Sequence, residues 1–264
     1  MTESLRPYLD FAVETAYLAG KLTLGYFQTG VSASYKSDDS PFTIADHKSE
    51  ELIRARIEKK FPRHAIIGEE FGEKNTTTAT HKWYIDPIDG TKTFLHGVPL
   101  YSVLIGLEIE NKAEVGVAYF PALDEMICAA TGEGCWWNGR RAHVSEVSQL
   151  KDAVVTTGEF KLFEPQGRAD AWERLQAACS IVAGWGDAYG YLLVATGRAE
   201  LMLDPIMSEW DACALLPILE EAGGRFSDWS GVRTVRGGNA ISTNGLLFEP
   251  VISVLRSEAQ DTTV

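Results

Sequence analysis

The sequence predicts a mixed α/β (α+β) fold, with a mostly antiparallel sheet in the first half and alternating strands and helices in the second. Two observations predict it. The hydrophobic period is helical over two N-terminal segments and then changes to that of strands. Beyond residues 145–152 the order becomes strand, helix, strand, helix, which implies helices layered on sheet. A chain of 264 residues can bury a large core in one or two domains.

The elements run in this order. Over residues 4–28, Leu5, Leu9, Ala12, Val13 and Ala16 recur at helical spacing, and Gly30 comes after them as a stop. A second helix starts near Thr43, where Thr43-Ile-Ala-Asp46 resembles a capping box with Asp in place of Glu or Gln. It ends before Phe61-Pro62. Strands are expected at 65–67, 83–85, 102–107, 114–119 and 126–130, with Glu110-Asn111-Lys112 turning a hairpin. Ser37-Asp38-Asp39-Ser40-Pro41 and Glu73-Lys74-Asn75-Thr76-Thr77-Thr78 read as polar loops. In the second half strands are expected at 153–157, 180–183, 200–203 and 240–243, and helices at 168–178, 187–196, 209–222 and 246–254. Residues 1–148 and 149–264 form the two expected parts, packed closely because no flexible linker separates them.

Composition narrows the function classes. Apolar residues make up 45% and charged residues 23%, an ordinary globular mix. No apolar stretch approaches a membrane span, and the N-terminus lacks the basic start and apolar block of a secretory signal, so a soluble cytoplasmic protein is expected. Cys128, Cys135, Cys179 and Cys213 are scattered without a CxxC pair and read as buried or half-buried thiols rather than zinc or disulfide residues. The five histidines are dispersed. A net charge of −13 argues against binding a nucleic-acid backbone. It also repels anionic substrates, so a phosphate site here needs local positive charge, and a bound divalent metal is its natural source.

The chemistry concentrates in Trp83-Tyr-Ile-Asp86-Pro-Ile-Asp89-Gly-Thr91-Lys-Thr-Phe94. An apolar strand runs into Asp86, Pro87 is expected to end it, and Asp89-Gly90-Thr91 turns the chain into its next segment. Two carboxylates three residues apart at such a junction can converge with the Ile88 carbonyl on a hard cation such as Mg²⁺. An ordinary strand-to-turn junction uses the same residue types. Gly68-Glu69-Glu70 places another carboxylate at a strand's end, and Trp210-Asp211 places one at the head of a helix, where Asp also suits a cap.

Ile67-Gly-Glu69-Glu, Asp86-Pro-Ile-Asp-Gly-Thr91, and Trp210-Asp211 followed by Glu221-Ala-Gly-Gly224 resemble, in order and spacing, the inositol monophosphatase family over nearly the whole chain. The resemblance implies a layered αβαβα sandwich, also that of fructose-1,6-bisphosphatase. It implies two or three Mg²⁺ on Glu69, Asp86, the Ile88 carbonyl, Asp89 and Asp211, inhibition by lithium, and a homodimer. It places Asp46 and Thr91 beside the nucleophilic water. The expected reaction is hydrolysis of a small phosphate monoester by metal-activated water, without a covalent phosphoenzyme. Glu69 holds the metal that binds the water, and the Thr91 hydroxyl, bonded to Asp46, orients that water. Asp86, Asp89 and Asp211 hold the metal on the leaving oxygen, and backbone amides at Gly90-Thr91 hold phosphate oxygens.

A finer resemblance, to the histidinol-phosphatase branch, lies in Asp86–Pro99, Gly186-Asp187-Ala-Tyr-Gly-Tyr-Leu-Leu-Val-Ala195, Gly197-Arg-Ala-Glu200, Asp204-Pro205 and Gly237-Gly-Asn-Ala240. It implies L-histidinol phosphate as substrate, in histidine biosynthesis. Asp204, seven residues before Asp211, and Asp187 are the candidate substrate-contacting acids beside Asp211. Each also suits a structural role, Asp204 at a strand end and Asp187 as a helix cap. The sequence departs from the branch at Ala183, where an Arg is usual; Arg198 or Lys92 could compensate, though both also read as surface charges. His96 reads as a loop or rim residue, and Trp136, Trp137 and Trp185 as core or interface residues. The runner-up is an inositol-1-phosphate or other polyol-phosphate phosphatase, favoured by Ala183. A non-catalytic regulatory protein on the same fold is a further alternative, opposed by the complete ligand set. A nucleotide 3′-phosphatase is a weaker one, because no adenine platform is evident.

Overall fold

The computed structural model describes residues 4–37, 39–75 and 79–256. Helices α1 (Arg6–Leu24) and α2 (Ile44–Lys60) flank a two-stranded ribbon, β1 (Ser34–Tyr35) and β2 (Pro41–Phe42). Next come β3 (Ala65–Gly68), β4 (Gly72–Lys74), β5 (His81–Asp89), α3 (Thr91–Leu95), β6 (Ser102–Ile109), β7 (Lys112–Phe120), β8 (Glu125–Ala130), β9 (Gly134–Trp137) and β10 (Arg140–Arg141). The second half contains β11 (Val154–Thr156), α4 (Ala169–Ala178), β12 (Ile181–Ala183), α5 (Ala188–Ala195), β13 (Leu201–Asp204), α6 (Glu209–Glu221), β14 (Arg225–Ser227), β15 (Ala240–Thr243) and α7 (Phe248–Arg256).

The first sheet has the strand order β10-β9-β8-β7-β6-β5-β3-β4 and is antiparallel except where β3 runs parallel to β5. The second has the order β12-β11-β13-β15-β14; β11 is parallel to both neighbours, and β15 is antiparallel to both of its own. On one face of the first sheet, Leu9, Ala12 and Ala16 of α1 and Ile53 and Ile57 of α2 bury against Trp83, Ile105 and Val117. On the other face lie α5 and α6, whose Leu192, Leu215 and Leu219 share a core with Leu104, Ala118 and Met202. Beyond the second sheet, Trp172 and Leu175 of α4 and Val251 and Ile252 of α7 pack on Val155, Leu201 and Ile241. The result is the α/β layered arrangement in the order αβαβα. The change of sheet falls between Arg141 and Val154, and a single core cluster joins both halves.

Two glycines set the depth of the central layer. Gly106 of β6 and Gly116 of β7 face each other across the ladder. A Cβ at Gly116 would lie 1.9 Å from the Ala214 carbonyl oxygen, and one at Gly106 would lie 2.8 Å from the Ala214 nitrogen. Helix α6 therefore rests with its backbone directly on the sheet, which brings its first turn to the ends of β5 and β6.

Several expectations are corrected. Pro87 does not end its strand: β5 continues to Asp89 through a β-bulge, the position at which a sheet tolerates proline. Gly72–Lys74 pairs with β3, so Glu73 and Lys74 belong to a strand rather than a loop. Asp38 and residues 76–78 of the two expected loops lie outside the described residues. Of the core-or-interface tryptophans, Trp185 is 46% exposed and so is no part of the core, whereas Trp137 packs partly buried against the core. The four cysteines are free, Cys135 and Cys213 buried and Cys128 and Cys179 half-buried.

Candidate active site

The site starts at the bulge in β5. Asp86 pairs with Leu104 and Asp89 with Ser102, so Pro87 and Ile88 on one strand stand against Val103 alone on the other. The extra residue lets both carboxylates serve one place. Asp86 Oδ1 accepts the Ile88 amide at 2.9 Å. Asp89 Oδ2 accepts the Ser102 hydroxyl at 3.1 Å and, at 2.8 Å, the amide of Ala188, the first residue of α5. Asp211 arrives on the first turn of α6, where its Oδ2 accepts the Ser208 amide at 3.2 Å. One oxygen from each of Asp86, Asp89 and Asp211 lies within 4.8 Å of the others.

This crowding is unfavourable for three anions. Burial, followed by the charges of Glu69 and Asp211, pushes the Asp86 carboxyl well above its ordinary range. Burial and then Asp187 and Asp211 do the same to Asp89, and burial and Glu69 raise Asp211. Asp211 Oδ1 is buried with no hydrogen-bond partner. An all-oxygen donor set, mutual repulsion and an orphaned carboxylate oxygen together fit a hard divalent cation. The three acids can hold one such ion.

Glu69 comes directly after β3, and its amide donates to the Ile85 carbonyl at 3.1 Å, which sets it beside Asp86. Its Oε1 accepts from Lys36 Nζ at 2.7 Å, so the side chain is engaged with the β1–β2 ribbon while its charge still reaches Asp86 and Asp211. Lys36 also pairs with Glu70 at 2.7 Å, and His47 Nε2 lies 3.4 Å from the other Glu70 oxygen. Burial pushes Glu70 up to about 7 despite Lys36. Beneath the turn, buried Glu50 accepts the Glu70 amide at 2.8 Å, the Phe71 amide at 3.2 Å and Arg54 Nε at 2.6 Å. Sequence reasoning missed Lys36, Glu50 and Arg54. A signal existed for two of them, because Asp46, Glu50 and Arg54 recur at four-residue spacing on one face of α2.

Thr91 opens α3 behind Gly90, which adopts the left-handed conformation at φ 79°. The Thr91 hydroxyl lies 3.1 Å from the Ile88 carbonyl oxygen and 3.3 Å from Asp46 Oδ1. Asp46 is fully buried, its Oδ2 accepting both the amide and the hydroxyl of Thr43 at 2.7 Å. The capping box therefore also orients the carboxylate that faces Thr91.

Glu69, Thr91, Asp89 and Asp211 border two adjoining cavities. One, of about 670 Å³, is lined among others by Glu69, Gly90, Thr91, Lys92, His96, Glu159 and Asp187. The other, of about 160 Å³, is lined among others by Asp89, Glu159, Asp187, Tyr191, Asp204 and Asp211. Asp187 Oδ2 accepts the Thr93 hydroxyl at 2.8 Å and fills the space where a Cβ on Gly90 would stand. Asp204 Oδ2 accepts the Tyr191 hydroxyl at 2.9 Å. Arg198 lines neither cavity: it pairs with Glu125 and lies over the Trp137 ring, so it does not compensate for Ala183. His96 lies on the cavity rim, as expected.

Residues 4–260 match the model of the inositol monophosphatase family. The chain belongs to that family. This inositol monophosphatase family member is 42% identical over 260 residues to a histidinol-phosphatase of Chlorobaculum parvum, covering 97% of this chain and 100% of the relative. Its fold is similar to that of the extragenic suppressor protein SuhB from Bartonella henselae, with a TM-score of 0.89, 28% identity and coverage of 95% and 99% of the two chains. It is also similar to the inositol monophosphatase from Anabaena, with a TM-score of 0.84, 31% identity and coverage of 95% and 96%. No helix among the described residues is long and apolar enough to cross a membrane.

Proposed function

We propose that this chain is a Mg²⁺-dependent phosphatase that hydrolyses L-histidinol phosphate to L-histidinol and phosphate. The observation that carries the reaction is the Asp86, Asp89 and Asp211 cluster, of which Asp89 and Asp211 line a cavity adjoining the one lined by Thr91, whose hydroxyl lies 3.3 Å from buried Asp46. The substrate rests on the full-length similarity to a histidinol-phosphatase.

Glu69, Asp86, the Ile88 carbonyl, Asp89 and Asp211 would hold two or three Mg²⁺. When bound, these ions supply a water of lowered pKa and neutralise charge on the phosphoryl and leaving oxygens. The Thr91 hydroxyl, shared between Ile88 and Asp46, orients the attacking water and passes its proton toward Asp46. The chain turns at Gly90 so that the backbone of Thr91 can approach phosphate oxygens at the start of α3. Lys36, held between Glu69 and Glu70, supplies positive charge on the ribbon side. The protein works as a homodimer in the cytoplasm, with no nucleic-acid or membrane partner.

A second reading, hydrolysis of inositol 1-phosphate or another polyol phosphate, is favoured by one observation. Ala183 stands where an arginine is usual, and no arginine lines either cavity. Phosphate release from purified protein with and without Mg²⁺ separates the two. The first reading predicts strict Mg²⁺ dependence and a kcat/KM for histidinol phosphate well above that for inositol 1-phosphate; the reverse preference overturns the substrate, and release without metal overturns the reaction.

A further inference from the structure

We infer that Glu159 is the specificity-determining carboxylate of this site, the group that recognises a cationic nitrogen on the alcohol portion of the phosphate ester. The inference rests on the proposed phosphatase reading and adds to it a residue outside the metal and water machinery.

Beyond the proposed metal ligands Glu69, Asp89 and Asp211, three carboxylates of the described residues border the cavities: Asp187, Asp204 and Glu159. Asp187 is committed to the frame, with Oδ2 on the Thr93 hydroxyl at 2.8 Å and Gly90 packed against it. Asp204 is committed as well, with Oδ2 on the Tyr191 hydroxyl at 2.9 Å. Glu159 differs in its partner. Like Asp187 it lines both cavities, so it stands where the phosphate end and the alcohol end of a bound ester meet. Its carboxylate is paired with Lys92, and the two side chains are 43% and 62% exposed. An ion pair between two exposed, flexible side chains contributes little and exchanges readily. A substrate ammonium or imidazolium entering from the cavity can take the place of the Lys92 ammonium and form a charge-assisted hydrogen bond partly withdrawn from water.

The surroundings favour that exchange. The smaller cavity is bordered by Asp89, Glu159, Asp187, Asp204 and Asp211 and by no lysine, arginine or histidine. Divalent cations held by Asp89 and Asp211 would offset the charge of those two carboxylates, leaving the Glu159 side in need of a cation. Neutral polyols gain nothing from a carboxylate in that position, whereas an amino alcohol does. Lys92, released, lies on the wall of the larger cavity beside Thr91, on the phosphate side.

The test compares wild-type and Glu159→Gln protein, with saturating Mg²⁺, on two ester pairs: histidinol phosphate against inositol 1-phosphate, and ethanolamine phosphate against glycerol 2-phosphate. The expected result is a KM higher by about tenfold or more for the amine-bearing ester, with kcat within about twofold and the neutral ester unaffected. Glu159→Asp should restore part of the loss. Equal changes on amine-bearing and neutral esters, or none on either, would overturn the inference. If the wild type prefers inositol 1-phosphate but Glu159→Gln still weakens only the amine-bearing esters, the substrate proposal fails while the role of Glu159 stands.

Discussion

Asp211 serves two purposes with its two oxygens: Oδ2 accepts the Ser208 amide at 3.2 Å, and Oδ1 is buried with no partner beside Asp86. The residue belongs to a helix capping box and, with Asp86 and Asp89, to a cluster that can hold a cation. Because an amide oxygen can also accept from Ser208, Asp211→Asn should preserve the cap and relieve repulsion with Asp86. The metal-free variant should melt at or above the wild-type temperature. Its phosphate release should fall by about a hundredfold or more, as expected when charge stabilisation at the reacting centre is lost. Thermal melts and activity assays on one preparation check both halves; a variant that is destabilised but active would show that the cap alone matters.

The raised acids give the metal-free protein a characteristic pH response. Asp86, Asp89 and Asp211 hold protons in the fold above the pH at which they lose them in the unfolded chain, chiefly because burial and neighbouring carboxylates disfavour the charge. Between those limits the folded state binds more protons, so stability falls as pH rises. If the cluster takes Mg²⁺, the ion binds the deprotonated carboxylates and should reverse the penalty. Melting in EDTA should therefore worsen from about pH 5 to pH 8, and the gain on adding Mg²⁺ should be larger at the upper pH. A Mg²⁺ gain independent of pH contradicts the cluster as the binding site.

Thr91 lies 3.3 Å from Asp46 and 3.1 Å from the Ile88 carbonyl oxygen. If its hydroxyl orients the water, Thr91→Val should lower kcat by about 10²–10⁴-fold, the usual contribution of positioned proton transfer. Thr91→Ser should retain most of the rate. Steady-state kinetics decide, since a purely structural Thr91 would let valine, of similar shape, retain activity.

Gly116 bears on the site from a distance. A side chain there meets the Ala214 carbonyl oxygen at 1.9 Å, so Gly116→Ala must lift α6 from the sheet and move Asp211 with it. The expected loss is about 1–3 kcal/mol of stability, typical of overpacking, accompanied by weaker Mg²⁺ activation. Denaturant titration and Mg²⁺ dependence measured side by side test the coupling. A stability loss with unchanged Mg²⁺ dependence would show that α6 does not transmit the strain to its first turn.

Much of this was legible in the sequence because the signals were local. The strand of Trp83–Ile85 leading into Asp86 and Asp89, and the box of Thr43 and Asp46, each depend on residues within a few positions. Asp211 was legible both as a cap and as a candidate ligand, and the geometry uses it in the cap and brings its carboxylate to Asp86 and Asp89. Pro87 misled, because a proline in a β-bulge has the same local signature as one that ends a strand. Lys36 was not legible, since its partners Glu69 and Glu70 lie more than thirty residues away and meet it only through the ribbon. Glu159 was overlooked because nothing near it in the sequence is unusual; its position between two cavities belongs to the tertiary fold. Strands β4, β9 and β10 escaped because two to four residues are too few to establish a period.

The central claim is that Asp86, Asp89 and Asp211, from one bulged strand and one helix cap, form a divalent-cation site. Anomalous diffraction from crystals grown with Mn²⁺ in place of Mg²⁺ tests it most directly. The account predicts a strong peak within coordination distance, about 2.0–2.3 Å, of oxygens from all three residues. A well-ordered crystal with Mn²⁺ bound elsewhere and none among these carboxylates would contradict it.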